Sequence, residues 1–291
     1  MAHWYLDNRG SPELFGKDHR KWGRLQGWPL NKDGSPKKAI SDREKVALGL
    51  VPGTTDILKM IGGGKVDGLM MWSARLGIKA GLKSSDMEGA LSTYMKERDK
   101  PSATGSGIHD DLKNHFAPLY KKPISTFGEI DRDGVEPVST ESTRACQEVE
   151  RWLRNAFPGY QISALEQPFI DGSYALCRNP YAGTVDMRLE PAGRTDPNDP
   201  SNRENNIFID FKTTAKERAP YPTECSQLEA YSGWDEKKFI RSRTINMYID
   251  QGTGALYNVH EWSKANREAG MEMFALAHAL FYSMCDWKLE E

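Results

Sequence analysis

Cysteines in this chain are few and scattered: Cys146, Cys177, Cys225 and Cys285 form no C-x-x-C. That spacing predicts neither disulfides nor a zinc site, and buried, inert thiols are the expectation. Long apolar runs are absent as well. None approaches the roughly 18 residues of a membrane span, and the opening Met-Ala-His-Trp-Tyr-Leu-Asp has no basic region followed by an apolar one. The N-terminal region carries too many acids for a mitochondrial transit peptide, so a cytoplasmic protein without membrane partners is expected. No sign of charge dominates: 39 basic and 41 acidic side chains leave a formal −2. Affinity for a polyanion must then come from local patches, not from a global field. Two hydrolase signatures are missing, the Gly-x-Ser-x-Gly elbow and the H-E-x-x-H helix, which puts a generic small-molecule hydrolase last among the candidates. Gly62-Gly63-Gly64-Lys65 fails as a phosphate loop, because Lys59 and Val66 stand where glycine and a hydroxyl residue are needed; it reads as a helix stop.

What is present is the make-up of an ordinary globular chain. With 38% hydrophobic and 27% charged residues over 291 positions, it can bury one large core or two smaller ones. Residues 1–46 mix Trp4, Tyr5, Trp22 and Trp28 with Arg9, Lys17, Arg20, Lys21, Arg24, Lys37 and Lys38, and their periodicity is poor. They read as an irregular N-terminal arm, either packed on its own domain or stacking on a single nucleic-acid strand. Residues 47–105 read as a helical cap. Pro52-Gly53-Thr54-Thr55-Asp56 forms its turn and N-cap, Ile57, Leu58, Met60 and Ile61 a short helix, Leu69 to Leu82 a second helical stripe, and Asp86 to Arg98 a third helix.

Residues 106–291 carry an α/β pattern after a flexible joint at 102–107. Ile108, Leu112 and Phe116 recur every four residues, which predicts a helix with His109 at the edge of its buried stripe. A long helix is predicted from Thr140 to Ala156, then strands over Ala164–Ile170 with Glu166 in it, over Tyr174–Leu176, and around Asp186. Pro191 to Asn205 reads as a polar, mobile turn. Beyond lie a helix from Thr223 to Trp234 with Gln227 and Tyr231 on one face, a strand over Ile245–Ile249, its hairpin partner Ala255–Val259, and a closing helix from Ser263 to Leu289.

Between Gly183 and Lys212 the pattern turns chemical. In Asn206-Ile207-Phe208-Ile209-Asp210-Phe211-Lys212 the alternation predicts a strand whose Asp210 and Lys212 share one face. Asp-x-Lys or Glu-x-Lys also occurs at Asp111-Lys113, Asp235-Lys237, Glu236-Lys238 and Asp286-Lys288, but only Asp210-Lys212 ends an apolar strand run. With Asp186 from a preceding strand, such a pair suits metal-assisted hydrolysis: carboxylates for a hard divalent cation that keeps waters and phosphate oxygens. Lys212 would orient or deprotonate the attacking water, or neutralise the pentavalent phosphorus.

His109, Glu166, Gly183-x-x-Asp186, Asp210-x-Lys212 and Gln227-x-x-x-Tyr231, in this order, resemble the PD-(D/E)XK nuclease superfamily in its RecB-type exonuclease branch. Gly105-Ser106-Gly107-Ile108-His109 stands where that branch has a Gly-x-x-His helix. Pro52-Gly53-Thr54-Thr55-x-Ile57-Leu58, with Trp72 after it, looks like the N-terminal part of phage and mitochondrial-genome-maintenance exonucleases. The resemblance implies an α/β fold with a restriction-endonuclease-like αβββαβ core and mixed sheet over residues 106–291. It implies Mg²⁺ or Mn²⁺ on Asp186, Asp210 and His109, Lys212 as the catalytic lysine, and Glu166 beside the metal or on a second one. Gln227 and Tyr231 would organise the site or contact the strand, with Thr213 beside them. Relatives that bind an iron–sulfur cluster use one early and three late cysteines. No cysteine precedes His109, so no cluster is expected.

The expected function is metal-dependent exonucleolytic hydrolysis of DNA, single-stranded or with a free end, in replication, recombination or repair. A bacterial or phage-infected cell is the expected setting, with a recombination or single-strand-binding protein as partner. Two rivals stay open: a structure-specific endonuclease on the same core, and a non-catalytic DNA-end-binding scaffold.

Overall fold

The computed structural model describes residues 4–8, 11–15, 29–32, 34–35, 37, 40–61, 107–129, 139–171, 179–193, 205–236 and 242–286, and all structural statements concern these. The fold is mixed α/β. Strands β1 (Trp4–Asn8), β2 (Ser11–Phe15) and β3 (Leu50–Pro52) make a small antiparallel sheet in the order β2-β1-β3. Between them α1 (Asp42–Ala47) starts on a capping box in which Ser41 and Glu44 satisfy each other's backbone N–H. Next come α2 (Thr54–Leu58), a helix over residues 107–116 (α3), and α4 (Thr140–Ala156).

The main sheet has five strands in the order β4-β5-β6-β7-β8: β4 (Tyr160–Asp171), β5 (Tyr181–Pro191), β6 (Ile207–Thr214), β7 (Arg243–Asp250) and β8 (Leu256–Glu261). Only β6 and β7 are parallel, so their connection must cross the sheet, and α5 (Pro222–Glu236) is that crossover. The closing helix is α6 (Lys264–Asp286), which makes six α-helices among the described residues.

Strand alternation sorts the core into two layers. Ile207, Ile209 and Phe211 of β6 and Ile245, Met247 and Ile249 of β7 pack with Ile108, Leu112 and Phe116 of α3 and Val149 and Leu153 of α4. On the opposite face, Phe208 and Val185 pack with Leu228 and Tyr231 of α5, Phe274 and Phe281 of α6, and Trp4, Leu50 and Ile57 from the N-terminal elements.

That second layer changes the reading of residues 1–46. They are not simply irregular, since β1 and β2 pair from Trp4–Phe15 to Asn8–Ser11 and β1 also pairs with β3. Strands of five and three residues are too short for periodicity to register, and the β1–β3 pairing joins residues more than 40 positions apart. The Pro52-to-Asp56 turn caps α2 at Gly53, which has no side chain to offer a hydrogen bond, and Thr54, the first helical residue, donates its hydroxyl to the Ala182 carbonyl at 2.9 Å. The helices expected after Ile61, the joint at 102–106, the strand over Tyr174–Leu176 and most of the Pro191–Asn205 turn lie outside the described residues. No described helix is long and apolar enough to cross a membrane.

Candidate functional site

The main sheet forks between β5 and β6. Ladder pairs run from Leu189–Ile207 to Met187–Ile209 and stop, although the same register would next pair Asp186 with Asp210. Beyond that point Asp186 Oδ2 accepts the Phe211 N–H at 2.9 Å, a side chain standing in for the lost ladder bond. β5 turns instead to the N-terminal elements: Gly53 bridges Ala182, and the Tyr5 hydroxyl meets Thr184 Oγ1 at 3.0 Å. The fork is the opening in which the candidate residues gather.

Asp210 and Lys212 stand on the α5 side. Lys212 Nζ lies 2.8 Å from one Asp210 oxygen and 2.7 Å from the other, and donates to Gln227 Oε1 at 3.0 Å. Gln227 Nε2 in turn donates to the Tyr231 hydroxyl at 2.5 Å. Gln227 and Tyr231 therefore hold Lys212, and Tyr231, only 4% exposed, offers little surface to a strand. Gly183 makes room for this arrangement, since a Cβ there would lie 2.7 Å from the Tyr231 ring and 2.8 Å from Phe169.

From the other face, α3 brings His109 to the mouth of the fork. Its Nδ1 is 3.8 Å from Asp186 Oδ2, and its ring meets Phe211 edge-on at 6.2 Å. β4 supplies Glu166. One ligand atom each from His109, Glu166 and Asp186 lies within 4.8 Å of the others, a spacing that a single cation can bridge. Glu166 reaches this position with φ +45°, left-handed in the middle of a strand. Such backbone is rare for residues other than glycine and clusters at functional sites.

The electrostatics follow from the crowding. Burial, with Asp186 close by, pushes the Glu166 carboxyl up to about 8. Burial opposes the charge of Lys212, but Asp210 and Asp186 outweigh it and hold the ammonium above its ordinary range. Burial, with Asp210 and Asp186 nearby, also drives the Tyr231 phenol well above its ordinary value. Raised that far, Glu166 is largely protonated near neutrality without a cation, and a divalent ion held by the cluster would favour its ionised form.

Of the residues expected from sequence, His109, Glu166 and Asp186 form the ligand cluster, while Asp210, Lys212, Gln227 and Tyr231 form an adjoining hydrogen-bonded chain. Asp210 lies outside the three-ligand cluster; its oxygens are engaged by Lys212 and by Asn246 at 2.6 Å. Thr213 follows Lys212, and alternation turns it to the opposite face.

Sequence reasoning passed over the supporting residues. Thr244, Asn246 and Tyr248 alternate along β7, and each donates to a buried carboxylate, Glu229, Asp210 and Glu224 respectively. Their signal was available in the polar side of the run Thr244 to Asp250. Tyr5 had no such signal, because its approach to Thr184 depends on folding across 179 positions. Neither protein-family models nor curated proteins match this chain.

Proposed function

We propose that this chain is a metal-dependent deoxyribonuclease of the PD-(D/E)XK kind that hydrolyses DNA from a strand end, single strands above all. The observation that carries the reading is the fork itself. Asp186 and the Asp210-x-Lys212 pair meet there beside His109 and Glu166, in the order and chemistry of the nuclease motif. The succession α4, β4, β5, β6, α5, β7 supports a restriction-endonuclease-like αβββαβ core.

The donor set fits the implied cation. Two carboxylates and an imidazole combine hard and borderline ligands, which suits Mn²⁺ alongside Mg²⁺. When bound, the ion supplies Lewis-acid polarisation of the phosphodiester and of the attacking water. The chain's own residues do the rest. Lys212 is held as an ammonium by Asp210 and Gln227, which favours stabilising charge on the phosphoryl oxygens over abstracting a proton. Gln227 fixes the direction of Lys212, and Tyr231 fixes Gln227.

The test is digestion of linear single-stranded DNA labelled at either end, with Mg²⁺ or Mn²⁺ and then with chelator, for wild type and Lys212→Ala. Progressive shortening that needs metal and disappears in the variant is expected, and the label released first gives the polarity. Cleavage of closed circular single strands would replace the exonuclease by an endonuclease. Tight binding without cleavage would leave only a DNA-end-binding scaffold.

A further inference from the structure

β7 carries an amide where a buried central strand ordinarily carries an apolar side chain. Asn246 is 0% exposed between Ile245 and Met247. Asparagine is a poor strand former, and burying its amide is costly unless the polar atoms are paired. Both ends are paired. The Trp262 indole Nε1–H donates to Asn246 Oδ1 at 2.7 Å, and Asn246 Nδ2 donates to Asp210 Oδ2 at 2.6 Å.

An indole N–H can only donate, so the Trp262 contact decides which way the amide faces and obliges Asn246 to present its NH₂ to Asp210. Trp262 is itself fixed: its backbone N–H donates to the Thr244 carbonyl at 3.0 Å, and His260 meets its ring edge-on at 4.4 Å. The neighbouring strands do the alignment, because Asp210 pairs with Asn246 in the parallel ladder and Asn246 with His260 in the antiparallel one.

We propose that Asn246, aimed by Trp262, is a positioning residue for the Asp210–Lys212 pair. It anchors Asp210 Oδ2, the oxygen that Lys212 Nζ also approaches at 2.7 Å, and so steadies the carboxylate that carries the ammonium. The inference rests on the nuclease reading, in which Lys212 is the cation that meets the phosphate. Without the Asn246 donor only Lys212 itself holds the Asp210 carboxylate, so the pair can shift together, and a catalytic group misplaced by ~1 Å can lose about 100-fold in rate.

The test compares wild type with Asn246→Leu, which keeps the shape and lacks the donor, with Asn246→Asp, which offers Asp210 an acceptor, and with Trp262→Phe, which frees the amide to turn over. In Mn²⁺-dependent cleavage of single-stranded DNA, kcat is expected to fall about 10- to 100-fold in Asn246→Leu and Asn246→Asp. It should fall less in Trp262→Phe. KM for DNA, and Mn²⁺ affinity measured by calorimetry, should stay within about twofold of wild type, since neither the ligand cluster nor the strand contacts change. An unchanged kcat in Asn246→Leu, or a loss carried by KM or by Mn²⁺ affinity, overturns the proposal.

Wild-type protein inert toward DNA with either metal would sink the nuclease reading instead, and the hydrogen-bond chain would then be judged separately. Acylation of Lys212, read by mass spectrometry against the 71% exposed Lys264 side chain, should be faster in Asn246→Leu than in wild type. Equal rates would show that Asn246 does not hold the pair.

Discussion

Glu166 occupies a conformation that glycine adopts without strain, with φ +45°. Left-handed backbone costs an L-residue about 1 kcal/mol or more, and this residue also sets a buried carboxylate beside Asp186. Glu166→Gly should therefore raise the thermal midpoint while weakening Mn²⁺ binding about tenfold or more, measured by calorimetry on the same preparations. A fall in both would show that the side chain contributes to the fold rather than to the site. Glu224 behaves in the opposite sense. Burial would raise its carboxyl, but hydrogen bonds from Arg218 and the Tyr221 amide outweigh burial and hold it below its ordinary value. A carboxylate depressed in the native state stabilises the fold fully above its unfolded value of about 4.3, and that stabilisation is lost as pH falls through the lower native value. Glu224→Gln should cost about 2 kcal/mol at pH 7. The gap between the thermal midpoints of variant and wild type should narrow progressively as pH falls below about 4.3, and a gap that does not narrow would mean that packing, not charge, is at stake.

At the scale of elements, the fork is where β5 leaves β6 to meet the N-terminal sheet, and α5 closes over it. Gly183→Ala sets a methyl against the rings of Tyr231 and Phe169, so a loss of about 1–3 kcal/mol in denaturant unfolding is expected. Because Tyr231 carries Gln227 and through it Lys212, cleavage should fall by more than the lost stability explains. Much of this arrangement was legible in the sequence. The bounds of α4, the shared face of Asp210 and Lys212, and the facing of Gln227 toward Tyr231 all follow from local periods of 3.6 and 2. What stayed hidden depends on contacts between distant segments. One such contact is made by Asn246, 36 positions after Asp210, which donates to its carboxylate with no local pattern to announce the pair. Glu166 looked secondary because its left-handed backbone has no local sequence signal.

For the molecule as a whole, the first described strand and the last described helix share one core, with the rings of Trp4 and Phe281 6.1 Å apart. A unit that cannot bury its apolar face alone does not fold alone. A single calorimetric transition is expected for the full chain, and removing residues 1–53 should leave a product that is aggregated or loses its near-ultraviolet circular dichroism. Two separated transitions would mark the small sheet as independent. The fork has a spectroscopic consequence too. Asp186 replaces a strand partner for the Phe211 amide, so one backbone proton is bonded directly to a carboxylate of the candidate metal cluster. Its ¹H–¹⁵N resonance will move when Asp186 takes up a diamagnetic ion such as Mg²⁺. The sheet thus carries a built-in probe of site occupancy, readable without any substrate.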